Sequence, residues 1–187
     1  MNRAIQIRGK RLRTVGGAVA AALLLQLAGP IAHAQPLPMP GTVLAASAMR
    51  AGIRRCYPML DAVGNATLAN TQHADVVLDW NRSNPDSEPF FSLSGLDYGQ
   101  ATALLSVTTA PVAEGCSVLV ERISSAPLRC SEVARSELAD YRAAPLVPAV
   151  VVYTNPARPR ETVTLLDAPP SCVIVRRQVR LAAPDTR

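Results

Sequence analysis

The chain has 187 residues, 49% of them hydrophobic and 18% charged, with a formal net charge of +5. That surplus belongs to the first 34 residues, which hold Arg3, Arg8, Lys10, Arg11 and Arg13 and no acid; residues 35–187 set fourteen arginines against fourteen Asp and Glu. Nil net charge over the bulk of the chain removes the usual electrostatic case for nucleic-acid or anionic-membrane partners, both of which reward a positive excess.

The basic start leads into an apolar stretch from Val15 to Leu27, a Gly29-Pro30 break and Ala32-His33-Ala34, the small-x-small pattern that signal peptidase reads. This layout predicts a signal peptide over residues 1–34, cut between Ala34 and Gln35. No paired arginines precede the apolar run, which favours the general secretion route. The run is shorter than the roughly 20 apolar residues of a membrane span and is broken by Gly16, Gly17 and Gln26. Nothing after Ala34 approaches a second span, so a periplasmic or secreted protein is expected. Lys10 is the sole lysine, and the abundance of Ala, Val, Pro and Arg fits a GC-rich bacterial genome.

Residues 35–41 contain Pro36, Pro38 and Pro40 and should be an extended lead-in. A single α+β domain is expected over 42–182, followed by a disordered tail at 183–187. Thr42 is suited to cap a helix running to Tyr57, with Pro58 as its stop. Ala45, Met49, Ile53, Cys56 and Leu60 follow helical spacing and should face the core, leaving Arg50, Arg54 and Arg55 in solvent. From Ala74 the period becomes two. Val76, Leu78 and Trp80 alternate with Asp75, Val77 and Asp79, as in a strand with one buried face. Phe90–Leu96, Ala101–Thr109 and Cys116–Ile123 read as further strands, and Trp80 and Phe91 as members of a core stripe.

Ser131–Arg142 reads as a second helix with Ala134, Leu138 and Tyr141 inward. Val147–Thr154, Glu161–Asp167 and Cys172–Leu181 complete about seven strands in a mainly antiparallel sheet, with two helices on one face. A weak echo runs through this order. Each half reads helix with a cysteine, strands, Ala-Pro, then a cysteine opening a final strand, which raises internal duplication as a reading.

Four cysteines, Cys56, Cys116, Cys130 and Cys172, in an exported chain imply two disulfides. None is spaced C-x-x-C, which argues against a zinc knuckle or a dithiol redox pair. Of the three connectivities, Cys116–Cys130 with Cys56–Cys172 is favoured, on the expectation that the strand leaving Cys116 turns and returns the chain close by. Loop entropy assigns about 3 kcal/mol to the short closure and about 5 to the long one.

His73 is the only histidine beyond the leader, so a nucleophile-base arrangement would have to use it. Gly-x-Ser-x-Gly, Walker and dinucleotide-binding patterns are absent. His73, Asp75 and Asp79 fall short of the convergent ligand set that a transition metal needs. No metal or cofactor is expected. The Asp75–Asp79 carboxylates, on one strand face, are the other catalytic candidate, but the turns around them lack the aromatic residues of a sugar cleft.

The most site-like segment is the polar loop Asn81–Pro89, with Arg82, Asp86 and Glu88 between apolar strands. Arg176, Arg177 and Arg180 with Arg158 and Arg160 make the densest local positive cluster. Arg176 and Arg180 share a strand face opposite Val173, Val175 and Val179, which should put them on the wet side of the sheet. Arg82, Asp86, Glu88, Arg176 and Arg180 are therefore the candidate partner-binding residues. The residues point to a non-enzymatic module that binds another envelope protein, as an inhibitor, an immunity-like factor or an assembly adaptor. A small envelope hydrolase using His73 or Asp75/Asp79 is the alternative, and a bare structural envelope protein a third reading.

Overall fold

Eight strands form one antiparallel sheet in a computed structural model that describes residues 41–182. The predicted signal peptide, the cleavage point, most of the lead-in and the tail lie outside the described residues. The strands are β1 (His73–Trp80), β2 (Phe90–Asp97), β3 (Thr102–Val112), β4 (Gly115–Ala126), β5 (Arg142–Val147), β6 (Val150–Thr154), β7 (Glu161–Ala168) and β8 (Ser171–Arg180). Their spatial order is β1-β2-β3-β4-β8-β7-β6-β5, two four-strand meanders joined at β4 and β8. The α+β class is as expected, with eight strands in place of about seven and three helices in place of two.

The predicted first helix is divided. Helix α1 (Val43–Arg50) starts at Thr42, whose hydroxyl accepts from Ala45 N at 3.2 Å. It ends because Gly52 adopts φ +86°, a conformation that favours glycine, which lets Gly52 N bond Met49 O and Ile53 N bond Ala48 O. Pro58 is then no stop. It sits in the first turn of α2 (Tyr57–Leu68), where its missing N–H costs nothing. Despite the break, Ala45, Ile53, Cys56 and Leu60 are all buried. The helices approach so closely that a side chain at Gly64 would collide with Thr42 Oγ1.

Helix α3 (Cys130–Glu137) is shorter than the predicted 131–142. Its chain turns at Leu138, and Tyr141 donates its hydroxyl to Glu161 Oε1 at 2.9 Å, fastening the entry to β5 onto β7. β5 escapes the sequence reading because every residue of it is exposed and it contains Pro145. An edge strand tolerates a proline that an inner strand would not.

All three helices pack on the same face of the sheet, which splits the core in two. Under α1 and α2 lie Leu44, Leu60, Phe90, Leu96, Leu105, Val107 and Val118; under α3 lie Val133, Leu138, Val163, Leu165 and Ile174. Ser92 is buried but donates to Val107 O at 3.2 Å, whereas the buried hydroxyls of Ser94 and Thr109 have no partner among the described residues.

The disulfides are Cys56–Cys116 and Cys130–Cys172, which corrects the favoured pairing. The expected return of the chain beside Cys116 does not occur, because β4 runs on to Ala126 and carries α3 to the far end of the sheet. Each bridge joins the start of a helix to the second residue of its meander's last strand. The halves thus repeat one plan, helix, four strands, bridge. Cys116 to Glu121 and Cys172 to Arg177 are both steps of five, and Glu121 faces Arg177 across the β4–β8 seam. The pair sits where the two halves exchange, Arg177 Nε lying 3.5 Å from Glu121 Oε1.

Candidate docking surface

Pairing register assigns every strand residue to one of two faces, since residues directly opposite in an antiparallel pair project the same way. The helix-bearing face holds the two core clusters. The other carries Val77, Phe91, Leu93, Leu104, Leu119, Ile123, Val175, Val173, Leu166 and Val152, and no described helix or strand lies over it. Val77 is 66% exposed, Phe91 48%, Leu93 45% and Leu104 43%. The core stripe predicted for Phe91 is therefore wrong: Phe90 fills the core, and Phe91 points outward one residue later. Trp80 does pack against the core, with the Arg82 guanidinium 5.4 Å from its ring centre.

The charges on this open face are segregated. Its β1–β4 half carries Asp75, Asp79, Asp97 and Glu121 and no arginine. Its β5–β8 half carries Arg142 and Arg177 and no carboxylate. Arg160, from the β6–β7 loop, joins Thr162, Arg177, Val179 and Leu181 around a depression of about 200 Å³ on the same side.

The candidate partner-binding residues do not form one site. Asp86 Oδ1 accepts from Arg54 N at 2.8 Å and Arg55 N at 2.6 Å, so this carboxylate pins the 81–89 loop to the α1–α2 turn. Arg82 and Glu88 stay exposed on that loop. Arg176 and Arg180 are on the helix-bearing face, opposite to the side predicted. Helices α1 and α2 meet the sheet at β1 and β4 and α3 meets it at β7 and β8, and the two core clusters are separated by a gap along the β4–β8 seam. Arg122, Arg176, Gln178 and Arg180 occupy the gap, while Val173, Val175 and Val179 look out from the open face. Arg176 is bound to Glu137 of α3 and Arg122 lies 5.4 Å from the Tyr98 ring centre. Arg180 shares a surface pocket of about 330 Å³ with Arg158, Arg160, Glu161 and Gln178.

His73 and Asp75 lie on the exposed edge strand β1, Nε2 to Oδ2 3.1 Å, with side chains 72% and 87% exposed. Among the described residues no hydroxyl joins this pair by hydrogen bond, all four cysteines are in disulfides, and no group of three metal-ligating side chains converges. Two tyrosines elsewhere are perturbed: burial first, then its bond to Glu161, pushes the Tyr141 phenol above its ordinary 10.0, and desolvation, then Asp61, raises Tyr57. Two depressions among the described residues bring together no such constellation either. One, about 450 Å³, opens where β3 starts at Thr102 while β4 runs past it, and is lined mainly by Leu96, Leu104, Ile123, Ser124 and Val173.

The open face was the feature that sequence reasoning missed, although its trace was present. Phe90-Phe91, Leu104-Leu105, Leu165-Leu166 and Val150-Val151-Val152 put apolar residues on both sides of their strands. Such runs belong to sheets covered on both faces, whereas one-sided sheets alternate. No family model matches the chain, and neither a curated protein nor a solved structure matches it.

Proposed function

We propose that this chain is an exported, non-enzymatic protein-binding module, an inhibitor, immunity-like factor or assembly adaptor of the cell envelope, which docks its partner on the open face of the sheet. The observation that carries the reading is the two-sided hydrophobicity of the strands. One side is covered by three helices and the other, with Phe91, Leu93, Leu104 and Val77 exposed, is not. Contiguous apolar patches beyond a few hundred Å² on a folded protein mark interaction surfaces, and a polar-only partner would leave these side chains in water. Two disulfides are consistent with an oxidising, exported environment. Together with the basic-apolar-small leader pattern, they support delivery through a signal peptide cut before Gln35. The charged margin of that face, Asp75, Asp79 and Asp97 on one half and Arg142 and Arg160 on the other, supplies polar selectivity around the apolar contact.

The test is a photo-reactive side chain placed at Leu104 on the open face, with a control at exposed Arg135 on α3. In the producing cell, a discrete cross-linked protein is expected from Leu104 and not from Arg135. Equal or absent cross-linking at both positions would overturn the reading.

A further inference from the structure

The open face is large enough and its charges are arranged so as to receive another copy of itself. Strands stand about 4.8 Å apart and rise about 3.3 Å per residue. The five inner strands β2, β3, β4, β8 and β7 over eight residues therefore offer roughly 650 Å² per copy, or about 1,300 Å² for the pair. That falls inside the range of specific protein interfaces, and two such faces stack about 10 Å apart with their strands inclined near 30°.

Charge then decides the orientation. Two sheets face each other across a two-fold axis lying between them, and that axis runs either along the strands or across them. An axis across the strands sets the β1 half over the partner's β1 half, so Asp75 and Asp79 confront their own copies. An axis along the strands sets the β1 half over the partner's β5 half. It also keeps like ends of the sheet together. Asp79 is near the end of β1, its neighbour across the ladder is Phe91, and that end is shared with Arg142 at the start of β5. The second arrangement brings carboxylates over arginines on both flanks. Leu93, Leu104, Ile123 and Val175 fall in the middle, around the Glu121–Arg177 pair that each copy already satisfies internally.

We infer that the occupant of the open face is a second copy of this chain, stacked sheet on sheet about a two-fold axis parallel to β4 and β8, with Asp79 of one copy facing Arg142 of the other. The inference rests on the docking reading above and names its partner. Pairing hides the apolar face and leaves the helices, with Arg176 and Arg180 beside them, accessible.

Sedimentation velocity of the purified protein, with its Asp79→Arg and Arg142→Asp variants and the double variant, tests it. Both residues are exposed on edge strands, so the monomer fold tolerates the exchanges. The parent is expected at twice the chain mass. Each single exchange should weaken association by at least about tenfold at low salt, the double exchange should restore it, and added salt should shrink all three differences. A parent that is monomeric throughout, or a dimer indifferent to both exchanges, overturns the inference. A monomer whose Leu104 still cross-links to a different protein ends the self-pairing and leaves the docking reading standing. A monomer that cross-links to nothing ends both.

Discussion

Replacing Cys130 and Cys172 together by alanine should open one half of this molecule and leave the other closed. The bridge spans 42 residues of sequence, and loop-closure entropy assigns it about 4 kcal/mol. The other bridge, spanning 60, receives nearly the same from chain entropy, a little over 4 kcal/mol. What differs is the core beneath. Fourteen residues are buried in the cluster under α1 and α2, against six under α3. Helix α3 has eight residues, too few to persist unsupported, and its other fastenings are Val133 and the partly exposed Arg176–Glu137 pair. Hydrogen exchange followed by mass spectrometry reads the outcome segment by segment. Amides of 130–137 and of the β7–β8 turn should exchange faster, on the order of a thousandfold for 4 kcal/mol, while those of 43–68 keep their protection. Equal loss of protection in both halves, or none in either, would refute the two-cluster account of the core.

Three further expectations follow from single side chains. Asp86→Ala removes the acceptor of two backbone N–H groups at Arg54 and Arg55 and should cost about 1–2 kcal/mol in chemical denaturation, with the loss appearing as faster exchange of the 81–89 loop; an unchanged midpoint would deny the carboxylate its structural role. Thr109→Val replaces a buried, unpartnered hydroxyl by a methyl of like shape and should be neutral or stabilising by up to about 1 kcal/mol, whereas a clear loss of stability would mean that the hydroxyl has a partner. The Tyr141 phenol keeps its proton to a higher pH in the folded chain than in the unfolded one, so its contribution to stability is complete below pH 10.0 and is lost as pH rises from there through the folded-state value. In Tyr141→Phe this alkaline loss should be smaller, and identical slopes in the two proteins would contradict the assignment.

Much of the fold could be read from residue order alone. Period-two alternation placed β1 with its apolar side inward, and the even cysteine count anticipated two bridges. The errors have physical causes. Gly52 and Pro58 act as a stop and a start three-dimensionally close together, and a helix-long spacing of apolar residues concealed the break because both pieces bury the same side. β5 has no buried residue from which to take a period. The disulfide pairing was deduced from expected proximity, whereas the repeated order of helix, strands and cysteine already held the answer: equivalent halves close equivalent loops. Alternation with Val173, Val175 and Val179 puts Arg176 and Arg180 on the wet side of the sheet, a rule that holds when helices cover the whole of the other face. Here two separate clusters form beneath them, and Arg176 lies between the clusters, bound to Glu137, while Arg180 stays exposed on that same face. The open face went unread because alternation identifies one buried side and is silent when both sides are apolar.

Carbene footprinting of side chains in the intact producing cell tests the central claim most directly, by comparing labelling of Leu93, Leu104, Ile123 and Val175 there with labelling in dilute purified protein. A covered open face predicts that these four are protected in the cell and regain reactivity on dilution, while exposed Leu128 and Pro58, off that face, label alike in both. Full labelling of all four in the cell would contradict a docked face.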